Sequence, residues 1–172
     1  MMQMLAAGGV PVLSDGERQA DNDNPRGYLE WERIKQLPRD PSCIAEAEGK
    51  AVKVISLLLL SLPEGHDYRV IFMQRPLAEV LASQETMMRN RGTAVAAANA
   101  SIMSAAFEKN LRAVDAWLGS KNYVKALQVP YHEVVSDPRT IAQKIAAFLE
   151  MNLDIEAMTR QVDSALYRNR SK

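Results

Sequence analysis

Cysteine is almost absent: the chain carries one thiol, Cys43, among 172 residues. A lone cysteine excludes an internal disulfide, and no metal-ligand spacing surrounds it, so no metal is expected. This usage fits a reducing, cytoplasmic compartment. Net charge is also absent, because 21 basic side chains balance 21 acidic ones. No overall field then draws the molecule to nucleic acid or to an anionic membrane, and any bound anion needs a local site. Long apolar runs are missing too. The longest, Val54 to Leu62, is interrupted by Ser56 and Ser61 and is far shorter than the ~20 residues that span a bilayer. Met1 to Leu13 has no basic start and contains Gly8, Gly9 and Pro11, which argues against a secretion signal. There is no internal repeat and no low-complexity tract.

What is present suits a single domain with a real core: 47% of residues are apolar and 24% charged. Met1 to Ala7 reads as the end of a helix closed by Gly8-Gly9, with no cap ahead of it. Val10 to Leu13 is a candidate strand, and Ser14 to Gly27 is a polar, turn-rich loop. Tyr28 to Gln36 has the spacing of a short helix. Val52 to Leu60 and Arg69 to Met73 read as buried strands, and Ala126 to Pro130 as a last one.

Helices separate the later strands. Arg75-Pro76 opens one whose Leu77, Val80, Leu81, Gln84, Met87 and Met88 share a face, ending near Arg91-Gly92. Ala94 to Leu118 forms a second, with Ile102, Met103, Ala106, Leu111, Val114 and Leu118 turned inward. Asp137-Pro138 caps a third that carries Ile141, Ile145, Phe148 and Leu149. Tyr167 to Lys172 is a basic tail expected to be exposed. Buried strands alternating with amphipathic helices predict a three-layer α/β fold, a mainly parallel sheet flanked by helices. In such sheets ligands sit beyond the carboxyl ends of the strands.

That rule singles out Val70-Ile-Phe-Met-Gln-Arg-Pro-Leu-Ala-Glu-Val-Leu-Ala-Ser83. Arg75 follows a buried strand, and its planar fork suits a doubly held phosphate. Ser83 falls about 20° from Pro76 on a helical wheel, so its hydroxyl can reach the same anion. Taken singly, each residue has a plainer explanation: a solvated arginine, a surface serine. The arginine-to-serine spacing of eight resembles the 3′-phosphate-binding motif of sulfotransferases that use 3′-phosphoadenosine 5′-phosphosulfate. Val129-Pro-Tyr-His-Glu-Val-Val-Ser-Asp-Pro-Arg139 is similar to another segment of that family, in which Tyr131 falls where an aromatic ring meets adenine. Asp23-Asn-Pro-Arg-Gly-Tyr-Leu-Glu30 resembles the acceptor-side segment of the bacterial members, and Glu30 is the candidate general base. Glu32 and Glu133 are its rivals.

The resemblance spans roughly Met1 to Phe148. It implies a P-loop nucleoside triphosphate hydrolase-like fold and transfer of a sulfuryl group to a hydroxyl or amine acceptor. The donor would be 3′-phosphoadenosine 5′-phosphosulfate, without a metal. The sequence departs from the family in having no glycine-rich phosphate loop. Gly8-Gly9 follows a helix instead of opening one. The first strand and loop would lie upstream of Met1, so the chain as given is expected to be inactive. Losing even one oxyanion donor costs about 100- to 1,000-fold in rate.

Three readings stay open. One is a longer, active enzyme whose start is misassigned. The second is a non-catalytic nucleotide-binding or interaction protein, and the third a nucleotide-kinase-like phosphotransferase of the same architecture. A missing first strand would also leave a sheet edge or groove uncovered, with self-association as the expected result.

Overall fold

The computed structural model describes residues 1–21, 24, 26–90 and 97–167. Its centre is a parallel pair, β1 (Tyr68–Gln74) and β2 (Val124–Pro130), in register from Tyr68 opposite Val124 to Gln74 opposite Pro130. Side chains alternate between the two faces of a strand. Ile71, Met73, Leu127 and Val129 therefore meet a first apolar cluster, while Tyr68, Val70, Phe72 and Val124 meet a second. Burial on both faces is what a parallel pair with helical crossovers requires. The architecture is thus α/β, a two-stranded parallel sheet flanked by helices.

The first cluster joins α1 (Met2–Ala7), α5 (Tyr131–Ser136), α6 (Pro138–Leu149) and α7 (Ile155–Arg160). Asp137 caps α6 by accepting from the Thr140 N–H at 3.1 Å, as its Asp-Pro signal predicts. Ile141 and Ile145 are buried beneath it. α1 ends at Gly8-Gly9. Gly9 takes the left-handed φ of 97° that only glycine adopts cheaply. Gly8 lets α1 approach α7 so closely that an added Cβ would lie 2.7 Å from Met158 Cγ.

The second cluster gathers Trp31, Ile34, Leu37, Cys43 and Ile44 under α2 (Ser56–Leu59) and the end of α4 (Ala97–Ser120). Two 3-10 turns, Glu32–Gln36 and Pro41–Ala47, carry most of these residues. Cys43 is fully buried, and burial, then the nearby Asp40 charge, pushes its thiol up, which makes it a packing residue.

Several expectations change. Val52 to Leu60 is not a strand: Ala51 makes one parallel bridge to Val12, and Ser56–Leu59 turns helical. The break follows composition, since Val52, Val54 and Ile55 are β-branched whereas Leu57, Leu58 and Leu59 are good helix formers. The Val10 to Leu13 strand shrinks to the same bridge. The helix expected from Tyr28 begins only at Glu32, because Leu29 takes a positive φ of 46°. Ile102 and Ala106 face solvent, as α4 packs through its second half, at Val114 and Leu118. Between them α3 (Leu77–Asn90) behaves as its spacing predicts, with Leu77, Val80, Leu81, Gln84, Met87 and Met88 all half-buried. Its close near Arg91-Gly92, the start of the next helix at Ala94 and the tail beyond Tyr167 lie outside the described residues.

Candidate functional site

Register brings the first candidates together. Gln74 and Pro130 are the paired last residues of β1 and β2, so Arg75 and Tyr131 leave the sheet side by side at its carboxyl end. The Arg75 guanidinium lies 5.0 Å from the Tyr131 ring centre, within reach of a cation–π attraction. A second ring stands next to the first: Tyr167 sits 5.2 Å from the same guanidinium, edge-on to Tyr131 at 5.0 Å. Tyr167 is thus half-buried in the site, not part of an exposed tail.

Glu79 ties the group together. It is the one buried charged residue among those described, 4% exposed. Its carboxylate accepts from Arg75 Nε at 2.9 Å and from the Tyr167 hydroxyl at 2.9 and 3.0 Å. One helical turn past Arg75, Glu79 occupies the face along which Ser83 comes a turn later. Ser83 is half-buried, and its hydroxyl makes no hydrogen bond to the described residues. The arrangement is an arginine fixed in orientation by a buried carboxylate and two rings, with a serine hydroxyl further along the same helix. Its chemistry is that of an oriented bidentate donor beside an aromatic surface.

Sequence reasoning placed Arg75, Ser83 and Tyr131 but missed Glu79 and Tyr167. The i, i+4 spacing of Arg75 and Glu79 was the available signal for the first. Nothing local marks Tyr167, which comes from 88 residues away.

Glu30 lies in a different cluster. Its carboxylate takes Lys53 Nζ at 2.7 Å and Arg18 Nη1 at 3.2 Å, and it is 17% exposed. Arg18 stacks on Tyr28, with its guanidinium carbon 3.3 Å from the ring centre. Burial alone would raise the Glu30 carboxyl, but the hydrogen bonds and charges of Lys53 and Arg18 outweigh it and hold it below its ordinary value. Glu30 lines a small pocket of about 360 Å³ with Ser14 and Arg26, whereas Arg75 lines a groove of about 1620 Å³. Of its rivals, Glu32 is bound to Lys35 and Glu133 to Lys144. Part of the Asp23 to Glu30 segment lies outside the described residues.

His132 is exposed on the rim of the larger groove, and His66 stands in a turn beside Tyr68. No cluster of three or more metal-ligating side chains occurs among the described residues. No helix among them is long and apolar enough to cross a membrane. Comparison of the chain with family models, curated proteins and solved structures gave no match.

Proposed function

We propose that this chain is a nucleotide-binding protein of the sulfotransferase type, recognising the 3′-phosphate and adenine of 3′-phosphoadenosine 5′-phosphosulfate. The observation that carries the reading is the meeting of Arg75 and Tyr131 at the carboxyl end of two parallel strands. That end is where α/β sheets bind ligands, and the two residues come from segments that resemble the family independently. In this reading Arg75 and Ser83 hold the 3′-phosphate. Tyr131 offers its ring to adenine, and Glu79 keeps the Arg75 fork aimed. The sheet belongs to a P-loop-like α/β fold.

The family reaction is in-line transfer of a sulfuryl group to a hydroxyl or amine. Charge grows on the leaving phosphate, so catalysis depends on positioned donors. The chain supplies no glycine-rich loop to face that charge. On the acceptor side the proton would pass to Glu30. A carboxylate already shared by Lys53 and Arg18 is a weak base. Nucleotide binding is the activity these residues support best, and in this reading the acceptor pocket is the one lined by Ser14, Arg18 and Glu30.

Calorimetric titration with 3′-phosphoadenosine 5′-phosphate tests the reading, with 5′-AMP as the control. Binding that needs the 3′-phosphate and weakens about 10- to 100-fold in Arg75→Ala is expected, the worth of a charge-assisted pair. Equal affinity for both nucleotides, or none in a folded chain, would remove it.

A further inference from the structure

One residue of the C-terminal segment engages the groups that a nucleotide is to meet. Tyr167 touches the Tyr131 ring edge-on at 5.0 Å, lies 5.2 Å from the Arg75 guanidinium and donates its hydroxyl to the buried Glu79 carboxylate at 2.9 Å. Rings at that separation are in direct contact, so no base fits between Tyr131 and Tyr167. The segment that carries Tyr167 is short and exposed at its turn. Ser164–Leu166 is a single 3-10 turn, with Ser164 and Ala165 facing solvent. Asp163 shapes the turn by accepting from the Ala165 N–H at 3.0 Å, and the Tyr167 N–H donates to the Ser164 carbonyl at 3.2 Å. Ahead of the turn, Arg26 donates to the Gln161 carbonyl at 2.6 Å and pairs with Asp163 at 3.3 Å. Both partners of that ion pair are more than a third exposed, at 35% and 37%, so water screens it and it holds weakly. An exposed turn of this kind opens locally without unfolding the domain.

We propose that residues 161–167 form a strap that closes the Arg75–Tyr131 site, and that a ligand enters by displacing Tyr167. The phenol stands in for the ligand's own ring: it is flat, it packs on Tyr131, and its hydroxyl shares the Glu79 carboxylate with Arg75. Displacement breaks the hydroxyl–carboxylate bond and the ring contact. Arg75 Nε keeps its 2.9 Å bond to Glu79, so the fork stays aimed as the strap leaves. The ligand then binds only the open fraction of the chain, and its apparent affinity is reduced by that fraction. For the identity of the ligand alone, the proposal rests on the nucleotide reading above.

Two measurements on the full chain test it. The first is arginine modification by phenylglyoxal, read at Arg75 by peptide mass, with the exposed Arg89 as internal reference. Tyr167→Ala should speed the reaction at Arg75 about tenfold and leave that at Arg89 unchanged. The second is calorimetric titration with 3′-phosphoadenosine 5′-phosphate, which Tyr167→Ala should bind about tenfold more tightly than the native chain does. Asp163→Ala loosens the base of the strap and leaves both rings in place. It should move both readouts in the same direction by less, and it carries the test if Tyr167→Ala does not fold. An unchanged rate at Arg75 in the folded variants overturns the strap. So does weaker nucleotide binding by them, which would make Tyr167 a wall of the ligand site instead. If Arg75 is unmasked as expected but no chain binds the nucleotide, the strap stands and the nucleotide reading falls.

Discussion

At the scale of single residues, Glu79 carries a clear predicted effect on stability. Removing it as Glu79→Ala would leave Arg75, 22% exposed, beside two rings without its carboxylate. Unfolding in urea should show a loss of about 2 kcal/mol, below the cost of breaking a fully buried pair because water reaches part of Arg75. Tyr167→Phe removes only a hydroxyl donor and should cost about 1 kcal/mol. Near-equal losses would mean that Arg75 draws little from the carboxylate. Glu30 governs an acid response instead. Its folded pKa is depressed below its ordinary 4.5, so its contribution is complete above that value. It is lost as pH falls through the depressed value. Stability of the native chain should therefore fall more steeply below about pH 4.5 than that of Glu30→Gln. Parallel profiles would show that Lys53 and Arg18 do not hold the carboxylate in solution.

Among the elements, α6 and the α1–α7 contact make the clearest predictions. Gly8→Ala drives a Cβ against Met158, which is fully buried and has little room to yield. A destabilisation of about 1 kcal/mol is expected from thermal or urea unfolding. A neutral result would show that the Met158 side chain repacks. The same scale shows how far the sequence could be read. β1, β2, α3 and α6 were legible because each carries a strong local signal: an apolar run bounded by turns, Arg-Pro, or Asp-Pro before a 3.6-residue spacing. Residues 52–60 were misread because an apolar run of that length fits a buried strand or a buried helix equally. Only the tertiary setting splits it, leaving Ala51 in a single bridge, Ile55 extended and Ser56–Leu59 helical. Ile102 was turned inward on periodicity alone, although period does not say whether a helix extends past its neighbours. In the site, Arg75 and Tyr131 could be placed because both follow strands of the sheet. Tyr167 could not, since its position depends on the path of the whole C-terminal segment.

For the whole molecule, the two apolar clusters share the sheet as a common wall, and cooperativity should follow. Trp31 and Trp117 both lie with the second cluster, so tryptophan fluorescence reports that side alone. Ile145 is fully buried in the first cluster. Ile145→Ala should cost about 3 kcal/mol, and the fluorescence midpoint should shift as far as the circular dichroism midpoint. A fluorescence midpoint left in place would mean that the sheet does not couple the clusters and that each melts by itself.

The pairing of Gln74 with Pro130 has a consequence for fidelity. A slip of one residue between β1 and β2 would turn one strand's inward faces over and also carry Arg75 away from Tyr131. Correct core packing and correct assembly of the arginine–tyrosine pair are thus one alignment read out twice. A nucleotide that binds this pair would recognise only chains whose strands had threaded in register, and would act as a quality check on folding.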